Sequence, residues 1–221
     1  MKALRGKRFA SARAASTIAA CALPWLVVSA GSPEFEEHFD ATEYRRFNEY
    51  FPAQGYEVEY LSHLWGQPAL RFGANPDNDE VDEHVTVTTE INAVDPSDYE
   101  GVLLIGAYAM DRMRYQAKVK KGQKNQAPAV VFLRKAMQQD VPVGTICHSL
   151  WLLCADPDLI RGRKVTCAHN IICDVENAGG EVIYDGDETA ELVIDRNLIS
   201  GKHPGMVDKF METFVREIEK Q

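Results

Sequence analysis

No aspartate or glutamate precedes Glu34, although the chain as a whole is acidic, with 33 carboxylate residues against 24 Lys and Arg and a net charge of −9. The opening stretch instead carries Lys2, Arg5, Lys7, Arg8 and Arg13, followed by a nearly unbroken apolar run, Ala14–Ala30. That run is short and stops at Gly31-Ser32-Pro33, which argues against a stable membrane span. The net charge of −9 argues against a nucleic-acid surface, which needs clustered Lys and Arg, and the Lys cluster at 118–124 reads as a solvated loop. Cysteine is also sparse. The five residues Cys21, Cys147, Cys154, Cys167 and Cys173 are an odd number without paired spacing, a poor disulfide framework. Cys167, His169 and Cys173 lack a second ligand pair at finger-like spacing, so no metal site is expected. Cys154, Cys167 and Cys173 read as small apolar core residues. Nothing calls for a cofactor.

What is present is a folded α/β pattern. The 221 residues suffice for one sizeable domain. The basic and apolar segment 1–22 reads as an extension or signal-like leader, with Ile18-Ala19-Ala20-Cys21 resembling a lipoprotein cleavage box. The domain proper is then 23–221, with Trp25–Ala30 as its first buried strand. Location is expected to be cytoplasmic, with export or lipid anchoring through the N-terminal segment as the alternative. A helix is predicted over 37–53, with Tyr44, Phe47 and Phe51 on its inner face. Strands follow at 56–61, 84–91 and 101–105, with an irregular excursion at 62–83 and a polar loop at 118–126. Further elements are a helix at 129–139, a strand at 141–146, a helix to about residue 155, short strands at 163–167, 181–184 and 192–199, a helix at 171–178, and a closing amphipathic helix from 204 to 220. No internal repeat is evident. The alternation predicts a three-layer α/β/α sandwich, flavodoxin-like, around a mostly parallel sheet.

In such sheets, functional groups gather beyond the strand C-termini. Cys147 sits where the strand through Ile146 meets the next helix, so it reads as a nucleophile on a strand-to-helix elbow. Helix N-terminal amides next to it would favour the thiolate. Glu36, after the first apolar run, is the candidate carboxyl partner. A protonated carboxyl donates to a thiolate, whereas an ionised one raises the thiol pKa. Glu34 and Glu37 read as a solvated helix start. His148 is the candidate base and Asp111 the carboxylate that orients it. The His148 N–H and an N–H from the Gly106-Ala107 turn would stabilise an oxyanion. His169 is a candidate substrate contact. His203 reads as a loop histidine.

The stretches Pro33–Glu37, Leu104–Arg112, Thr145–Leu150, Leu159–Thr166, Asn177–Glu181 and Val193–Ser200 together resemble the ThiJ/PfpI superfamily, in the class I glutamine amidotransferase-like fold. The register runs from residue 25 to about 218 and is nearest to the intracellular-protease-like branch. The resemblance implies that Cys147 is the elbow nucleophile, Glu36 the carboxyl that contacts it, and His148 the branch's histidine. It also implies that Asp111 stands where the branch usually has a glutamate supplied by a neighbouring subunit, so the protein would be a homodimer or larger. The chain departs from the pattern at Ala107 and Ser149, where glycine is usual. Alanine tolerates positive φ poorly, which puts the oxyanion turn and proteolytic chemistry in question. The activity implied is a cysteine-dependent hydrolase or lyase acting on a small carbonyl or amide substrate, of the peptidase, deglycase or glyoxalase kind. The alternatives are a non-enzymatic stress-response protein that senses oxidation at Cys147, or an exported binding protein with a vestigial site. The sequence argues against a glutamine amidotransferase proper, because His203 is the only late histidine and no Pro-x-Glu follows it.

Overall fold

The computed structural model describes residues 16–21, 37–75 and 83–221. Its centre is a seven-stranded sheet. In chain order the strands and helices are β1 (Ser16–Cys21), β2 (Glu37–Phe39), α1 (Ala41–Ala53), β3 (Tyr56–Ser62), β4 (Leu70–Ala74), β5 (His84–Val87), β6 (Thr89–Glu90), β7 (Gly101–Leu104) and α2 (Ala109–Met113). They continue as α3 (Pro128–Gln138), β8 (Val143–Ile146), a 3₁₀ helix Cys147–Ala155, β9 (Lys164–Val165), α4 (Ile172–Asn177), β10 (Glu181–Val182), β11 (Tyr184–Asp185), β12 (Glu188–Thr189), β13 (Leu192–Asp195), β14 (Leu198–Gly201) and α5 (Val207–Ile218). The main sheet runs β13-β14-β8-β7-β1-β3-β6 and is parallel except for the β13–β14 hairpin. The molecule is therefore mixed α/β with a mostly parallel sheet, as the alternating pattern predicts.

The first strand is not where the sequence placed it. Ser16–Cys21, inside the supposed leader, pairs with β3 on one side and β7 on the other. Trp25–Ala30 lies outside the described residues. The whole run 14–30 is apolar, and periodicity cannot decide which six residues of a uniform run enter a sheet. The excursion at 62–83 also holds structure, because β4 pairs with β2 and β5 in a separate three-stranded sheet.

Local chemistry accounts for the helix boundaries. Asp40 caps α1, its carboxylate accepting the Glu43 N–H at 2.9 Å. Pro128 opens α3, where its missing N–H costs nothing. Gly179, at φ +93°, follows the end of α4. Phe47 and Phe51 of α1 and Phe210 and Phe214 of α5 are fully buried, each worth roughly 2–3 kcal/mol of apolar transfer. α5 presses so closely on the sheet that a Cβ at Gly144 of β8 would stand 2.6 Å from Leu103 Cδ2 and 2.8 Å from Phe210 Cζ. Among the described residues no helix is long and apolar enough to cross a membrane.

Candidate active site

β7 and β8 are adjacent and parallel, so their C-terminal ends deliver Gly106-Ala107 and Cys147-His148 to the same edge. Cys147 follows β8 directly and holds φ +57°, a left-handed conformation unusual for a side-chain-bearing residue. Such a conformation costs on the order of 1–2 kcal/mol, so the surroundings must enforce it. Two contacts do so. Cys147 O accepts the Ala168 N–H at 3.3 Å. Ser149 Oγ, fully buried, accepts the Ile146 N–H and donates to Ile146 O, both at 2.8 Å. The serine that departs from the family's glycine thus fastens the strand end beneath the cysteine.

Ala107, the other departure, keeps the left-handed conformation at φ +76° despite its Cβ. Gly106 before it is required by proximity. A Cβ there would lie 2.6 Å from Glu43 Oε1, and the Gly106 N–H donates to Glu43 Oε2 at 2.6 Å. That N–H is therefore engaged, and only the next amide of the turn can serve an oxyanion.

Glu36 lies outside the described residues. The carboxyl that the described structure brings to the cysteine is Glu43, from the first turn of α1. It has no exposed surface, and its Oε1 has no hydrogen-bond partner among the described residues. Burial, and after it the charge of Asp40, push its carboxyl well above the ordinary 4.5, against the pull of the Gly106 N–H. That shift favours the neutral acid over the carboxylate. Sequence reading missed it because Asp40-Ala41-Thr42-Glu43 has the look of a helix cap with its third-position acid. The available signal was spacing: Glu43, Phe47 and Phe51 recur every four residues, so the carboxylate shares the buried stripe.

The surroundings of the thiol oppose the ionisation that the sequence leads one to expect. Burial, and then the Glu43 carboxylate, push Cys147 up to about 12, while the His148 N–H pulls it down. The Glu43 contribution acts only once Glu43 has lost its proton. The one amide of the 3₁₀ helix that meets the sulfur, His148 N–H, offsets only part of the burial.

His148 Nδ1 lies 3.3 Å from Asn170 Nδ2. The ring stands between Trp151, centroids 5.5 Å apart, and Tyr108, 6.3 Å apart. Asn170, which the sequence gave no reason to choose, therefore takes the place beside the site assigned to its neighbour. His169 is exposed and lines a surface hollow of about 330 Å³ with Tyr184, Asp187, Thr189 and Lys202. Asp111 lies on α2, with its backbone alone described. Cys147, Cys154, Cys167 and Cys173 are free thiols. Cys167 is buried and Cys154 half-buried, but Cys173 is exposed and is no core residue. No group of His, Cys, Asp and Glu among the described residues is arranged to hold a metal.

Known proteins share this architecture. An uncharacterized protein of Staphylococcus haemolyticus is 31% identical over 137 residues, covering 62% of this chain and 72% of its own. One from Staphylococcus saprophyticus is 28% identical over 156 residues, covering 69% and 83%. The crystal structure of Drosophila melanogaster DJ-1beta superposes with a TM-score of 0.65 at 16% identity, over 93% of this chain and 96% of that one. A two-domain protein from Anabaena variabilis, containing DJ-1/ThiJ/PfpI-like and ferritin-like domains, matches with a TM-score of 0.71 at 20% identity, over 92% of this chain and 48% of that one. The DJ-1/PfpI family model matches residues 34–217, so the chain belongs to the DJ-1/PfpI family.

Proposed function

We propose that this protein is a cysteine-dependent hydrolase or lyase that acts on a small carbonyl or amide substrate. The observation that carries the reading is the buried Glu43 carboxyl, fixed by the Gly106 N–H and electrostatically coupled to Cys147. A carboxyl placed there has no structural partner for Oε1 among the described residues, which is costly unless it serves the sulfur. The reading takes the fold as a three-layer α/β/α sandwich with the site at the strand C-terminal edge.

Because the thiol starts protonated, attack needs its proton removed as the sulfur–carbon bond forms. His148 takes that proton, the carbonyl π pair moves onto oxygen, and the N–H groups of Ala107 and His148 face the oxyanion. Glu43, still protonated, donates to the sulfur when it leaves as thiolate. Asp111 orients His148 by accepting from Nδ1–H, which leaves Nε2 free to take the proton. If Asp111 does so across a subunit contact, activity will depend on protein concentration.

The test is turnover of 2-oxoaldehydes and simple amides followed by NMR. Cys147→Ser should lower any turnover by about 10³-fold or more, and full activity in that variant would exclude the reading. A redox-sensing role is the second reading, favoured by the same protonated carboxyl, which can donate to an oxidised Cys147 sulfur. Toxoplasma gondii DJ-1, similar in fold, has been solved in an oxidized form. Peroxide treatment followed by intact mass, showing two oxygens on Cys147 without turnover of any carbonyl substrate, would favour sensing.

A further inference from the structure

Cations elsewhere on the described surface commonly meet carboxylates, as Arg45 meets Glu83, Arg134 meets Asp156 and Lys209 meets Glu191. The chain has carboxylates to spare, 33 against 24 cations. Arg114 is an exception, and it stands beside the site. It is half-buried, its guanidinium lies 4.1 Å from the centroid of the Trp151 ring, and no carboxylate of the described residues pairs with it. Its position is fixed twice over, by the stack on Trp151 and by the Asn125 Nδ2 donor that holds Arg114 O at 3.0 Å. Trp151 in turn presents its ring to His148 nearly edge to face. Tyr115, next in sequence and about half exposed, continues the aromatic wall toward Trp65, with centroids 5.6 Å apart. A partly desolvated guanidinium without a counter-ion is unfavourable by itself and becomes favourable when an anion arrives. In a protein of net charge −9, a half-buried guanidinium that meets an indole rather than a carboxylate among the described residues, next to a nucleophile, is a recognition feature.

We propose that Arg114, seated on Trp151, recognises an anionic group on the substrate of Cys147, so that the substrate is a carbonyl or amide compound bearing a carboxylate. This rests on the reading of Cys147 as a nucleophile. Trp151 contacts both Arg114 and His148, and the carboxylate is placed one indole away from the reacting carbon rather than on it. The molecule reaches across an indole, with a flat or apolar body against Trp151 and Tyr115.

The first test needs no turnover. Benzoate and its neutral analogue benzamide are titrated into the protein while the Trp151 indole N–H is followed by NMR. Benzoate should shift that signal saturably, and benzamide should bind about tenfold more weakly or worse. Arg114→Gln should bring benzoate down to the level of benzamide, and Arg114→Lys should retain part of the difference. Equal binding of the two, no saturable benzoate binding, or benzoate affinity that survives Arg114→Gln overturns the proposal. The second test uses Cys147 itself in a Cys173→Ser background, which removes the exposed thiol. The Cys147 sulfur attacks an aryl disulfide, its S–S bond breaks and the aryl thiolate leaves. The rate ratio of the dianionic 5,5′-dithiobis(2-nitrobenzoate) to the neutral 4,4′-dithiodipyridine should fall about tenfold in Arg114→Gln. Arg114-dependent benzoate binding with a Cys147 inert to both reagents supports the anion site and defeats the nucleophile. A reactive Cys147 with an unchanged ratio and no benzoate preference does the reverse.

Discussion

The Gly106 N–H donates to Glu43 Oε2 at 2.6 Å, joining the first turn of α1 to the end of β7 directly beside Cys147. The bond fixes the buried acid against the turn after β7, and the charge of that acid bears on the Cys147 thiol.

Glu43 should make stability fall as pH rises. Its folded-state pKa is raised above the ordinary 4.5, so the native state binds the proton more tightly than the unfolded chain. The contribution is complete below 4.5 and is lost as pH climbs through the folded value, with a slope of about 1.4 kcal/mol per pH unit within that window. Glu43→Gln, similar in shape but not titratable, should flatten this dependence. Urea midpoints from pH 4 upward would show it, and identical slopes in both proteins would refute it.

Gly106→Ala puts a methyl group 2.6 Å from Glu43 Oε1. Overpacking of this kind costs about 1–3 kcal/mol. Glu43→Ala removes the obstructing carboxyl, so the double substitution should cost less than the two singles added together. Simple additivity in a denaturation cycle would show that the two groups do not meet.

Ala107 at φ +76° carries a left-handed strain that glycine would relieve. The relief, on the order of 1–2 kcal/mol, exceeds the extra unfolded-state entropy of glycine, roughly 0.5–1 kcal/mol. Ala107→Gly should therefore stabilise the protein by about 0.5–1 kcal/mol. A lowered urea midpoint would contradict the assigned turn.

Asn170→Asp replaces a neutral amide with a carboxylate at His148 Nδ1, where Asn170 Nδ2 now lies at 3.3 Å. A carboxylate accepts from Nδ1–H, so the ring proton should move to Nδ1 and leave Nε2 free as a base. Imidazole ¹⁵N shifts should report that tautomer, with the doubly protonated ring persisting to higher pH than in the unsubstituted protein. Alkylation of Cys147 by iodoacetamide should become faster near neutral pH. Unchanged ¹⁵N shifts would separate Asn170 from His148.

The mostly parallel sheet was legible from alternating apolar runs and turn residues, and the elbow from a β-branched strand running into Cys147. Those signals are local, and so they survive in one dimension. Three others were not local. Ser16–Cys21 takes the central strand because pairing with both β3 and β7 selects it from a uniform apolar run. Glu43 reaches the turn after β7 because α1 turns that face toward the sheet, whereas its sequence neighbours make it look like part of a cap. Asn170 reaches His148 because the Ala168 N–H bonds to Cys147 O and draws residues 168–170 against the elbow.

The sequence by itself carried the family resemblance in its motifs, and the α/β alternation and the cysteine at the end of β8 in apolar periodicity and turn chemistry, which act between near neighbours. Only the tertiary structure decided which carboxyl faces that cysteine and whether its thiol carries a charge. Both depend on burial and on distances between segments far apart in the chain, and the field at a sulfur atom is set by what surrounds it in space.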